Sequence, residues 1–444
     1  MTTLFFCAGA FLVCLLAANR SLRLGLVALL GVGYAYGILR ANFPDIWTYL
    51  MFDAGAIGLY ASQLWRPIPH EQRAKIHDLR IWMLALMVWP VLLFIAYSGN
   101  EPLVELVGLR ANIFLLPFLL LGARLTNEDV EDLALYVAVL NIAAVTVGIV
   151  EFFVGIEQFY PMNEVTEIIY KSKDLVGWSA YRIPATFSSA HAFAGTMVMT
   201  LPILVGAWSQ PHRRPWHGPL LASAIMVSLV GVFMAAARVH MITAAVLVGI
   251  VTITGRLRGR QWLRWAFAIG LVGYVVAGDA RFQRFTTLQD TAFLAERWEG
   301  SVNEGFFDLV GEYPLGNGLA GGGTSVPYFL RGDWRPGPVM ENEYARIVLE
   351  QGLPGLALWL LFLFWVLTRT PGRVRDSWLL GRRLAWVACA VAFASGLVGM
   401  GLLASVPQTT LMLLSMGWYA VARKPQALLV HRPSPSPSAE AMAR

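Results

Sequence analysis

The sequence predicts an all-α, polytopic integral membrane protein with about 12–13 transmembrane helices and two long external loops. Hydrophobic residues make up 57% of the 444-residue chain and charged residues only 14%, against roughly 25% charged in soluble domains. The apolar residues fall in runs close to the ~20 residues that cross a bilayer as a helix. Arginines gather in the short connectors between alternate runs, the pattern that orients a membrane protein.

The first run, 3–18, follows "MTT", which has no basic stretch of the kind that opens a secretory signal, so a span is expected there. Further spans are expected at 23–40, 47–64, 81–98, 105–123 and 133–153, the fifth interrupted by Arg110 and Pro117. After a connector at 154–186 come 187–208, 218–236, 239–255 and 262–277. A second long connector, 278–343, precedes 344–368, 383–402 and 405–421. The chain thus divides into N-terminal spans (1–153), a loop (154–186), a middle group (187–277), a large loop (278–343), C-terminal spans (344–421) and a tail (422–444). The tail contains "RPSPSPSAEAMAR" and is expected to be disordered.

Orientation follows from the basic connectors. "NRSLR" (19–23), "RPIPHEQRAKIHDLR" (66–80), "HRRPWH" (212–217), "GRLRGRQWLR" (255–264) and "TRTPGRVRDSWLLGRR" (368–383) fall on one side if thirteen spans are crossed. The tail opening "RKPQ" joins them. Positive charge retained inside makes this side cytoplasmic and places the N-terminus and both long loops outside. The net charge of +6 is therefore accounted for by orientation, and no nucleic-acid-binding motif accompanies it. Cys7, Cys14 and Cys389 lie within apolar runs at neither disulfide nor zinc spacing.

Candidate chemistry gathers on the outer side. Arg182 stands in "YRIPATFSSAHAFAG", Arg238 in the turn "AAARVHMITAA", Arg297 in "AERWEGSVNEGFF", and Arg110 at the head of the fifth span. Arginine beside an outer membrane segment runs against the charge bias and needs a partner or a function. A single one reads equally as a snorkelling side chain or a structural ion pair. Several together would suit a lipid-linked phosphate or pyrophosphate, because the guanidinium fork donates two parallel hydrogen bonds to anionic oxygens. Of seven histidines only His191 and His240 fall outside, with no carboxylate at metal-ligand spacing, so no metal is expected. "PLGNGLAGGGTS" (314–325) lacks the Gly-Lys-Ser/Thr of a phosphate-binding loop, and no G-x-S-x-G is present. "PVMENEYARIVLEQGLPG" (338–355) sets Glu341 and Glu343 at the lip of a span, where a carboxylate is either a general base or a helix-end charge.

Three blocks resemble the O-antigen ligase and O-antigen polymerase superfamily of bacterial inner-membrane glycosyltransferases: "RIPATFSSAHAFAGTMVMTLP" (182–202), "AAARVHMITAAVLVG" (235–249) and "ERWEGSVNEGFFDLVGEYPLGNGLAGG" (296–322). The family's terminal motif, roughly His-Asn-x-Tyr-Leu with Glu-x-Gly following, is similar to "ENEYARIVLEQGLPG": Asn342, Tyr344, Glu350, Gly352 and Gly355 are kept, and Glu341 takes the place of the His. The resemblance covers about 180–360; the first 150 residues match only as hydrophobic spans. It implies a C-type, multi-helix glycosyltransferase of the inner membrane, with its site facing the periplasm and neither cofactor nor metal.

The reaction implied is polymerisation of undecaprenyl-pyrophosphate-linked oligosaccharide into an O-antigen or exopolysaccharide chain, with inversion by single displacement. Arg182, Arg238 and Arg297 would stabilise the departing pyrophosphate, Glu341 would accept the proton of the acceptor hydroxyl, and Asn342 and His191 would contact substrate. Glu343 and Glu350 are alternative bases, the latter more than two helical turns deeper and expected to pair internally. The implied partners are the lipid-linked donor, the glycan acceptor, a flippase and a chain-length regulator. Ligase-type transfer to a lipid or protein acceptor is the alternative that the missing His disfavours. A transporter of lipid-linked sugars would be expected to show repeats and paired broken helices, and neither is evident in the sequence.

Overall fold

The computed structural model describes residues 2–67, 70–96, 101–161, 182–211, 214–254, 305–323, 342–371, 377–399 and 401–421, with single positions at 270, 295, 299, 326, 327 and 330. Among the described residues every regular element is helical. In chain order they are α1 (Thr2–Arg20), α2 (Leu22–Asn42), α3 (Ile46–Tyr49), α4 (Met51–Gln63), α5 (His70–Ala96), α6 (Pro102–Ile113), α7 (Phe118–Ala123) and α8 (Asn127–Val154). There follow α9 (Ala190–Trp208), α10 (His217–Met234), α11 (Arg238–Ile253), α12 (Gly305–Glu312), α13 (Glu343–Thr368), α14 (Leu379–Ser395) and α15 (Gln408–Ala420).

Seven of these helices and the combined α6–α7 stretch, eight segments in all, are long and apolar enough to cross a membrane, and each coincides with an expected span. The protein is a polytopic membrane protein. The sequence and the structure differ at the shorter spans. The expected helix at 47–64 is broken at Leu50 into α3 and α4. Pro117 divides 105–123 into α6 and α7, because a proline has no N–H to continue the ladder. The span expected at 383–402 ends at Ser395, where the Gly396 carbonyl accepts the Glu343 N–H from α13 (2.8 Å). The expected span at 262–277 lies, apart from residue 270, outside the described residues, as does most of both long loops.

Caps set several starts. Ser21 accepts the Leu24 N–H ahead of α2, Thr126 and Asp129 form a reciprocal capping box at α8, and Ser189 accepts the Ala192 N–H ahead of α9. The innermost helices are α15, buried throughout, and α9, buried along nearly its whole length, with α8, α10, α14 and α15 among the neighbours of α9. Glycine permits the tightest crossings: side chains at Gly122 of α7 or Gly417 of α15 would overlap the opposing backbone at Leu414 or Leu119. Within this core Asn141 donates to Thr200 (2.8 Å) and Ser228 (2.7 Å) and accepts from the Tyr34 hydroxyl, which ties α2, α8, α9 and α10 together.

The bundle has two chemically distinct ends. At one end arginines anchor the connectors: Arg66 donates to the Asn19 carbonyl, Arg124 to the Gln63 carbonyl (2.6 Å), and Arg382 to Asn127 (2.7 Å). Arg23 and Asp132 pair there too, as do Arg369 and Asp78 (2.9 Å). The opposite end carries the starts of α9, α11, α13 and α15 and the end of α8. Arg182, His191, Arg238 and Gln408 lie toward that second end.

Candidate active site at the second end of the bundle

The segment 182–189 folds down against the bundle rather than arching over it. Its peptide at Ala185 is left-handed (φ +50°), which costs an alanine roughly 1–2 kcal/mol. The Ala185 N–H donates to Glu151 Oε2 on α8 (2.9 Å), and its carbonyl accepts from the Tyr160 hydroxyl. The Ile38 N–H of α2 donates to the Thr186 carbonyl (3.1 Å). Gly37 is required here, since any side chain at that position would overlap the Phe187 carbonyl. The Phe187 ring then packs edge-on to Tyr34 (5.0 Å between centroids) and stacks on Phe193 (5.5 Å).

This descent brings Arg182 to His191 on the first turn of α9. Arg182 Nη1 lies 2.7 Å from His191 Nε2. A guanidinium only donates, so the imidazole nitrogen accepts and the proton of a neutral ring sits on Nδ1. The His191 ring lies 6.1 Å from that of His240 on α11, and Gln408 Nε2 reaches to 3.4 Å from His240 Nε2. Gln408 is the first residue of α15, and its side chain crosses α9 over Gly195, where a larger residue would collide with it. Arg238 begins α11 two residues before His240, directly after a turn with Ala236 at φ +49°. Arg182, Arg238 and His240 are half-buried and His191 is exposed.

The structure therefore gathers Arg182, His191 and the start of α11 from blocks distant in sequence. It adds Gln408, which nothing in its own neighbourhood of the sequence announced. Three helices, α9, α11 and α15, begin at this cluster, and the positive ends of their dipoles add to the guanidinium charge.

Glu341 and Arg297 lie outside the described residues. Asn342, expected to contact substrate, is 1% exposed and caps α13, its Oδ1 accepting from the Tyr344 N–H (2.8 Å) and the Ala345 N–H (3.3 Å). Glu343, the alternative base, is also buried. Its carboxylate accepts from Arg346 Nη2 (2.6 Å) and from the Gly401 and Leu402 N–H groups (2.7 and 3.2 Å). Through these bonds Glu343 anchors α13 to the segment entering α15. Glu350 pairs internally as expected, accepting from Arg346 Nη1 (2.7 Å) and Asn112 Nδ2 (2.9 Å). Gln351 donates in turn to Asn112 Oδ1 (2.9 Å). Arg110 is a structural ion pair: its Nε and Nη2 grip both Asp53 oxygens (2.5 and 2.6 Å).

Beyond Glu350, α13 kinks at Gly352 (φ +66°), two residues ahead of Pro354. The glycine-rich segment answers this kink. Asn317 N–H donates to the Leu349 carbonyl (2.6 Å), and the Leu353 N–H donates to the Pro314 carbonyl (2.8 Å). "PLGNG" is thus a plug that satisfies backbone groups freed by the break, a use of glycine in line with close backbone approach.

Among the described residues no three His, Cys, Asp or Glu side chains converge as a metal site would need. Cys14 and Cys389 are buried free thiols, and Cys7 is half-buried. Comparison with protein-family models and with curated proteins finds no match to the chain.

Proposed function

We propose that the chain is a metal-independent glycosyltransferase of a bacterial inner membrane that joins undecaprenyl-pyrophosphate-linked oligosaccharides into a longer polysaccharide. The observation that carries this reading is the meeting of Arg182, His191, His240 and Gln408 at the bundle end opposite the arginine-anchored connectors. By the charge rule that end is periplasmic, where a flipped lipid-linked glycan would present its pyrophosphate at the membrane surface. The donor brings its own leaving group, so the principal demand on the protein is to stabilise growing negative charge, which guanidinium groups do without a metal. Arg182 and Arg238 fill that role, with Arg297 as a third candidate. Glu341, one residue before the Asn342 cap, is the base for the acceptor hydroxyl.

The test is lipid-linked chain length in a strain lacking the gene and carrying variants at matched membrane abundance. Glu341→Gln removes the proton acceptor and should reduce synthesis about 10²–10⁴-fold, the usual scale of general-base catalysis. Glu341→His should retain measurable synthesis. Long chains made by the Gln variant would remove Glu341 from the mechanism.

A further inference from the structure

Ala185 occupies a backbone region where an L side chain crowds its own carbonyl. Such a conformation persists only where surrounding structure holds it. Both polar groups of Ala185 are held by side chains that belong to neither the Arg182 cluster nor the segment itself. Glu151, in the last turn of α8, takes its N–H, and the Tyr160 hydroxyl takes its carbonyl and lies 3.2 Å from the Phe187 carbonyl. Glu151 is 1% exposed and Tyr160 0%. The second Glu151 oxygen is buried with no hydrogen-bond partner among the described residues. Burying a carboxyl for one N–H is costly, and apolar packing alone would have been served by a leucine.

We propose that Glu151 and Tyr160 are positioning residues that clamp the Ala185 peptide and so hold Arg182 and His191 at their working separation; this role rests on the glycosyltransferase reading. Arg182 lies three residues before the clamped peptide and His191 six after it, and they meet at 2.7 Å. Rotation of the Ala185 peptide out of the left-handed region would swing one partner away from the other. From α2, Gly37 lies against the Phe187 carbonyl and the Ile38 N–H holds the Thr186 carbonyl. The segment is held by α2, α8 and Tyr160 together, as a site that must be in place before substrate arrives requires.

Purified wild-type protein, Glu151→Ala, Glu151→Gln and Tyr160→Phe, each in lipid nanodiscs, decide the matter with three readouts. These are hydrogen exchange at the Ala185–Phe187 amides, carbethoxylation of His191 by diethylpyrocarbonate, and elongation of a lipid-linked oligosaccharide. Glu151→Ala and Tyr160→Phe should speed exchange and His191 modification, and lower kcat about 10–100-fold, the scale of a misplaced group, with a smaller change in donor KM. Glu151→Gln, whose amide oxygen can accept the same N–H, should restore all three. Unchanged exchange in Glu151→Ala overturns the clamp, and faster exchange with an unchanged elongation rate overturns the positioning role. Should Glu151→Ala fail to fold, Tyr160→Phe, which loses one hydroxyl and no packing, carries the same decision. Wild-type protein that elongates no glycan overturns the catalytic reading and the positioning role with it, while the exchange data still decide the clamp.

Discussion

Replacing Arg346 by methionine should destabilise the protein more than any other single change near the head of α13. Arg346 is 1% exposed and bridges two buried carboxylates, Glu343 at 2.6 Å and Glu350 at 2.7 Å. Methionine fills comparable volume but leaves both carboxylates without their cation. Breaking a buried pair from one side costs about 3–5 kcal/mol. At roughly 2 °C per kcal/mol, the low end for a large chain, the midpoint should fall by about 6–10 °C. The two carboxylates are stranded unequally. Glu343 keeps two backbone N–H groups, from Gly401 and Leu402, whereas the fully buried Glu350 keeps one, from Gly322, with the Asn112 side-chain amide. Adding Glu350→Gln to Arg346→Met should therefore recover most of the loss, and adding Glu343→Gln should recover less. The assay is intrinsic-fluorescence melting in one detergent at fixed protein concentration. An unchanged midpoint for Arg346→Met, or equal recovery by the two second changes, would refute the reasoning.

Three further outcomes follow from the same geometry. Gly37→Ala should abolish stable accumulation in membranes, because the methyl would overlap the Phe187 carbonyl, whereas Gly249→Ala, with open space around it, should accumulate normally; quantitative blotting of membrane fractions separates the two. Arg182→Ala and Arg238→Ala should each lower kcat by the equivalent of about 2–4 kcal/mol, with lysine a poor substitute because it lacks the planar fork; initial rates of glycan elongation check this. Cysteine placed at Ser325 should react with an impermeant thiol reagent in intact spheroplasts and cysteine at Ser434 only after lysis, as the charge asymmetry of the connectors requires.

The spans were legible because length and hydropathy are local properties, and eight of the expected spans coincide with apolar helical segments of the structure. Their ends were less so. α14 stops at Ser395 through a hydrogen bond to a residue some fifty positions earlier in the chain, and no local pattern encodes it. The ion triad of α13 could have been read from the spacing alone, since Glu343, Arg346 and Glu350 lie three and four residues apart and so share one helical face. Asn342 was legible as a cap by residue type, being an asparagine directly ahead of an apolar helix. Gln408 was not legible: an ordinary polar residue at a span entrance gains its meaning only from Gly195 beneath it and His240 beyond. Glu151 was hidden for the same reason, as a carboxylate at the end of a long apolar run reads as an interface residue until the Ala185 peptide is placed against it.

The central claim is that this chain lengthens a glycan on its lipid carrier, and reconstitution tests it most directly. Purified protein in liposomes, supplied with undecaprenyl-pyrophosphate-linked oligosaccharide and no added metal, should convert single repeat units into a ladder of longer lipid-linked chains. Arg182→Ala at equal reconstitution should leave the single units unconverted. Donor that stays at one repeat unit with wild-type protein, whether untouched or merely moved to the other leaflet, would contradict the account.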